Sequence, residues 1–140
     1  MNVFRLAILT SLFFVAGTSF SASDMVAPKP SSAILPVYPE TARNARVEGV
    51  VKLWFVVNAD GEVIKAGIIS GNPLLRGAAT DAVKSWRFPT NTLQPNIRRE
   101  TEFVYVLKVQ SKKGEPRITV SMIDFRRIEI TSELYVKAIE

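Results

Sequence analysis

The sequence predicts a single α+β domain: a two-layer sandwich in which a three- or four-stranded antiparallel sheet carries two helices on one face. Three observations support this. Val50–Val57 is a run of β-branched and aromatic residues, Leu75–Trp86 repeats apolar residues at helical spacing, and Thr101–Lys108 alternates as a third strand would. The chain of 140 residues has room for one such domain.

The first half of the domain is predicted as a short helix followed by a strand pair. Tyr38–Glu40 opens the helix, because proline suits the first helical position and Glu40 suits the positive helix end. Val50–Val57 forms a strand that is covered on most of both faces. Asn58–Gly61 is a hairpin signal that leads into a return strand, Glu62–Ser70. In that strand, Gly67 predicts a bulge.

The second half is predicted as a helix, a loop and extended segments. Asn72 is an N-cap followed by proline, and the apolar stripe runs to Trp86, before Pro89 stops the helix. A third strand, Thr101–Lys108, follows. Beyond it, 118–130 is predicted to be extended, and 131–140 to be a short helix or a frayed tail.

The N-terminal segment is expected to be a signal peptide. Its apolar stretch, Leu6–Phe20, is shorter than the ~20 residues that a bilayer span needs. Ser19 and Ser21 have the spacing of a signal-peptidase site, which predicts removal of residues 1–21 and export to the periplasm. An uncleaved inner-membrane anchor is the alternative. The remaining chain divides into a Pro/Ser linker (22–36), the domain (37–109) and a C-terminal extension (110–140) that adds a strand.

The composition excludes several kinds of chemistry. The chain has no cysteine and no histidine, so disulfides, Cys/His metal sites and catalysis that uses His or Cys are absent. Glu100 and Glu102 share a strand face, but a solvated strand end explains them better than acid–base catalysis. Asp60 and Glu62 fit a turn. We therefore expect no enzyme, no metal site and no cofactor; a buried Glu100 or Asp124 beside another carboxylate would revive the enzyme hypothesis.

The excess of basic residues is dispersed rather than focused. The net charge is +5, and the basic pairs Arg98-Arg99, Lys112-Lys113 and Arg126-Arg127 are separated by acidic residues. Nucleic-acid binding needs a concentrated patch, so these pairs are interpreted as solvated surface. Contact with anionic lipid or cell-wall polymer is the lesser alternative.

Several short motifs, taken in order, resemble the TonB C-terminal domain family across residues 36–108. The residues that carry the resemblance are Tyr38, Pro39, Ala42, Gly49, Asp60, Gly61, Trp86 and Phe88. The resemblance implies a three-stranded antiparallel sheet with two helices on one face. It also implies that the last strand pairs with a peptide segment of an outer-membrane transporter. The matching positions here are Thr101, Glu102, Phe103, Val104, Tyr105, Val106, Leu107 and Lys108.

Three features depart from that family pattern. Arg76 replaces a common aspartate, Pro89 directly follows Phe88, and about thirty residues follow the last family strand. If the extension folds back onto Thr101–Lys108, it occupies the edge that a partner needs, and the module is capped or binds elsewhere.

The expected function is a non-catalytic periplasmic module of the Gram-negative envelope. It recruits an envelope or outer-membrane protein by edge-strand pairing. The alternative is a membrane-anchored energy transducer for outer-membrane transport of nutrients such as siderophores, which requires that residues 1–21 stay attached. An open sheet edge also allows a homodimer.

Overall fold

The computed structural model describes residues 27–110 and 117–135. The predicted signal peptide (1–21) and the last residues of the predicted tail (136–140) lie outside them. No helix in the described ranges is long and apolar enough to cross a bilayer. In chain order the elements are α1 (Glu40–Asn44), β1 (Gly49–Val57), β2 (Val63–Ser70), α2 (Pro73–Lys84), β3 (Arg98–Gln110), β4 (Ile118–Asp124) and β5 (Arg127–Tyr135).

The strands form one five-stranded sheet in the order β2-β1-β3-β5-β4. The α+β prediction is confirmed, but the sheet has more strands than expected and is mixed, because β3 and β5 run parallel. The segment 118–130, predicted as one extended stretch, is a hairpin that turns at Phe125-Arg126. Its second strand continues to Tyr135, where a helix or tail was predicted.

The core lies between the sheet and α2. Alternate residues of β1 from Val51 to Val57 are fully buried, as are Leu75, Ala79 and Val83 of α2. Trp86 is also fully buried, with its ring edge-on to Phe55 at 5.5 Å and stacked on Phe103 at 5.9 Å. The apolar stripe that predicted the helix is therefore the face that holds it on the sheet.

The β1–β2 pair is irregular, although not where a bulge was predicted. Its register shifts lie at Lys52/Leu53 and Val56/Val57, and Gly67 stays in regular register with Trp54. A Cβ at Gly67 would lie 2.6 Å from the Trp54 indole nitrogen. Gly67 is therefore explained by the close approach of the Trp54 ring rather than by a bulge.

The described part of the predicted linker packs against the domain. The Ser31 N–H donates to the Arg87 carbonyl at 2.7 Å, and the Arg87 N–H donates to the Ser32 carbonyl at 2.8 Å. The Ile34 N–H donates to Ser85 Oγ at 2.9 Å, and Ala27 is 4% exposed. Residues 27–36 are thus an extended segment that lies along the end of α2.

Candidate functional site: the margins of the sheet

The predicted binding strand Thr101–Lys108 does not lie at an edge. β1 pairs with β3 on one side from Arg98 to Tyr105, and β5 pairs with it on the other side from Glu102 to Gln110. Just before the start of β1, the Glu48 carboxylate accepts the Leu107 N–H. The edge assignment is wrong because the C-terminal hairpin inserts its second strand beside β3.

β5 is part of the hydrophobic core rather than a loose cover. Ile128 and Ile130 are fully buried, and Phe125 in the preceding turn is 7% exposed. The Phe125 ring meets Phe55 edge-on at 5.5 Å and Phe88 at 6.0 Å. These side chains complete the same core that α2 covers. Their burial therefore stabilises the pairing of β5 with β3, which leaves most of β3 without a free edge.

The outer margins of the sheet are β4 and β2, and within the described ranges no strand pairs with their outer sides. At β4, the Glu133 N–H donates to the Arg117 carbonyl at 3.0 Å. Backbone groups alternate along a strand, so Ile118 and Val120 direct their N–H and C=O groups away from β5. The Ile118 side chain is 43% exposed. β4 therefore offers unpaired backbone groups beside apolar side chains.

Tyr38 joins the chain around α1 to the strands. It is 1% exposed, its hydroxyl donates to the Val47 carbonyl at 2.6 Å, and its ring meets Tyr105 edge-on at 5.2 Å. Burial, and then the nearby Glu48 carboxylate, raise the pKa of Tyr38 to about 12. Burial, and then Tyr38, also raise the pKa of Tyr105. Tyr38 thus has a structural role, because it ties the start of the domain to β3.

Asp60 and Glu62 lie in the turn that follows β1. The Asn58 side-chain oxygen accepts the N–H groups of Asp60 at 3.0 Å and Glu62 at 2.9 Å, and Gly61 has a φ of +81°. Residues 27–110 and 117–135 contain no acidic cluster suited to a metal. The pair belongs to a hairpin turn.

The other motif residues are also placed by packing. Ala42 is fully buried, Phe88 is 3% exposed, and Gly49 has a φ of +138° at the start of β1. Pro39 precedes the first residue of α1. The family motif is thus a set of core and backbone positions rather than a cluster of reactive groups.

The acidic residues considered for catalysis do not converge. Glu102 forms ion pairs with Lys52 at 3.0 Å and Arg127 at 3.5 Å, which lie directly opposite it on β1 and β5. Glu100 is exposed, and Asp124 accepts the Arg126 N–H at 2.6 Å within the hairpin turn. Exposed pairs of this kind contribute about 0–1 kcal/mol to stability.

The described residues form a small α+β domain whose outermost strands, β2 and β4, each pair with another described strand on one side only. The family described as Gram-negative bacterial TonB protein C-terminal matches residues 35–107, more than half of the chain, and the chain belongs to this family. Membership implies a TonB-like role in protein interaction at the cell envelope.

Two proteins similar to this chain carry the TonB name. Protein TonB of Klebsiella pneumoniae is 32% identical over 63 residues, which are 44% of this chain and 26% of that protein. This chain therefore spans only about a quarter of that relative's length. The solution NMR structure of the Pseudomonas aeruginosa TonB CTD is 26% identical, with a TM-score of 0.42, and the match covers 53% of this chain and 78% of that one.

Proposed function

We propose that this chain is a non-catalytic periplasmic module that binds an envelope or outer-membrane protein by adding a strand of that protein to the outer margin of β4. The observation that carries the proposal is the pairing of β3 on both sides, which leaves β4 as an outermost strand. A partner strand there would gain main-chain hydrogen bonds without displacing any strand of the domain.

β4 suits strand addition better than β2 does. β2 contains Lys65 and Gly67, and its ladder with β1 shifts register twice. Bulges and lysines are the features that protect natural edge strands from further pairing. β4 has the sequence ITVSMID, without lysine, proline or glycine, and its ladder shifts only near the hairpin turn. Val120 and Met122 are partly buried against the core, so a partner strand would extend an existing apolar face.

Proline substitution at matched positions tests this proposal. By strand alternation, the N–H groups of Ile118 in β4 and of Ala66 in β2 point away from the neighbouring strand. Ile118→Pro removes one outward donor from β4, and Ala66→Pro removes one from β2. The ligands are synthetic peptides copied from periplasm-facing segments of outer-membrane transporters, with binding followed by titration calorimetry.

Weaker binding of such a peptide by Ile118→Pro, with unchanged binding by Ala66→Pro, supports pairing at β4. The reverse pattern assigns the partner to β2 and rejects the proposal. Equal binding by both variants and the parent rejects edge pairing at either margin. Hydrogen exchange then provides an independent check, because a strand added at β4 protects the Val120 amide.

The second candidate function, a membrane-anchored energy transducer, is favoured by the similarity to protein TonB. It requires that residues 1–21 remain on the mature protein. N-terminal sequencing of the protein from cells decides this point: a start near Ala22 supports the periplasmic module, and an intact N-terminus supports the transducer.

A further inference from the structure

A cleft of about 480 Å³ lies beside the first residues of β3, which precede the point where β5 begins to pair with it. The β3–β5 ladder begins at Glu102, whereas the β1–β3 ladder continues back to Arg98. The segment Arg98–Thr101 therefore has β1 on one side and no strand on the other, within the part of the chain that the structure describes. The hairpin turn Phe125-Arg126 forms the end wall of this cleft.

The cleft exposes one main-chain donor and acceptor pair in the direction of β5. The Glu102 N–H donates to the Arg126 carbonyl at 2.8 Å, which shows that Glu102 points its backbone toward the hairpin. Since alternate residues of a strand point to the same side, the N–H and C=O of Glu100 point there as well. β5 begins only at Arg127 and does not reach Glu100.

The side chains around this backbone pair favour an anion. Four cationic and two anionic side chains line the cleft. The Arg99 guanidinium donates to the Ile97 carbonyl at 3.0 Å, and burial lowers its pKa. Arg126 is exposed, and Arg127 makes only the 3.5 Å pair with Glu102 among the residues described. Guanidinium groups of this kind bind carboxylates through charge-assisted hydrogen bonds.

A buried hydroxyl and an apolar wall complete the cleft. Thr101 is 1% exposed, and its Oγ1 has no hydrogen-bond partner among the described residues. Phe125, which is 7% exposed, lines the same cleft and offers an apolar surface.

We propose that this cleft binds the C-terminal carboxylate of an extended peptide that ends in an apolar residue. The peptide backbone pairs with Glu100, its carboxylate meets Arg99 and Arg126, and its last side chain packs on Phe125. From Glu102 onward, β5 already pairs with this side of β3. A peptide that pairs with Glu100 and runs parallel to β3 must therefore end before it reaches β5. This geometry favours a chain end over an internal peptide segment. The site is separate from the outer margin of β4 and does not depend on the proposed function.

The probe is a synthetic acetylated hexapeptide of alanines ending in leucine, prepared with a free carboxylate and as the C-terminal amide. Binding to the full chain is followed by the fluorescence of Trp54, which lies opposite Glu100 on β1, and by the amide resonance of Glu100. The free acid is expected to bind at least about tenfold more tightly than the amide. Equal affinity for the two peptides, or no binding of either, overturns the proposal.

Two arginine variants give the second arm. Arg126→Gln is expected to weaken binding of the free acid about tenfold, whereas Arg117→Gln, an exposed arginine at the other end of β4, leaves it unchanged. Equal effects of the two variants indicate general charge attraction and reject the site. Inorganic phosphate that binds as tightly as the free acid also rejects it. Ile118→Pro should still bind the hexapeptide free acid. The proposal for the cleft and the proposal for β4 can therefore be rejected independently of each other.

Discussion

Replacing Ile130 by alanine is expected to lower the free energy of unfolding of the whole domain by about 3 kcal/mol. Ile130 is fully buried on β5, in register with Tyr105 of β3 and Val120 of β4. Alanine removes three buried carbons at about 0.8 kcal/mol each, and the cavity left between three strands adds to that loss. The result tests whether the C-terminal hairpin is part of the core.

Ile118→Ala is the matched control, since it deletes the same atoms from a side chain that is 43% exposed. It is expected to cost about 1 kcal/mol or less. Urea unfolding is followed by fluorescence, in which the fully buried Trp86 reports on its packing against Phe55 and Phe103 in the core. An Ile130→Ala effect no larger than that of Ile118→Ala would refute the reasoning. So would a hairpin that unfolds in a separate transition from Trp86.

Backbone conformation and ionisation give three further predictions. Gly61→Ala should destabilise the domain by about 1–3 kcal/mol in urea unfolding, because Gly61 has a φ of +81° and a Cβ there meets the Phe88 carbonyl. Gly77→Ala should instead stabilise it by about 0.5–1 kcal/mol, since a Cβ within α2 meets nothing within 4 Å. A destabilised Gly77→Ala or a neutral Gly61→Ala would contradict these packing arguments. Burial raises the pKa of Tyr38 from 10.0 to about 12, so its contribution to stability is present below pH 10 and is lost as pH rises toward 12. Unfolding titrations should show a shallower decline above pH 10 in Tyr38→Phe than in the parent, and equal slopes would contradict the assignment.

Much of the domain could be predicted because its signals are local. Asn72 accepts the Leu74 N–H at 2.9 Å as the predicted N-cap, and the stripe that ends at Trp86 packs on the sheet. Gly61 has the positive φ that a tight turn requires. At each of these positions, residue type alone restricts the backbone or the buried face.

The pairing of the C-terminal extension could not be predicted in the same way. Asp124 is the only common turn-forming residue in Asp124–Arg127, and without a glycine or asparagine after it the segment is a weak hairpin signal. Which strand then lies beside β3 depends on long-range packing of Phe125 and Ile128 into the core. The turn at Phe125-Arg126 both places β4 at the margin of the sheet and forms the end wall of the cleft.

The cost of removing β5 argues against a partner strand at β3. A partner strand that displaced β5 from β3 would expose Phe125, Ile128 and Ile130. Burial of each side chain is worth about 1.5–3 kcal/mol, or roughly 5–9 kcal/mol in total. Micromolar binding of a short peptide corresponds to about 8 kcal/mol. The cost of displacing β5 would therefore offset nearly all of that binding free energy.

Displacement of β5 and addition to β4 therefore predict different affinities of the Ile130→Ala variant for a partner peptide. If a partner peptide replaced β5, weakening β5 by about 3 kcal/mol would tighten binding about a hundredfold. If the peptide adds to β4, its affinity should change little, because β5 stays in place in both states. Calorimetric titration of the parent and the variant with the same transporter peptide separates the two routes, and tighter binding by the variant would reject addition at β4.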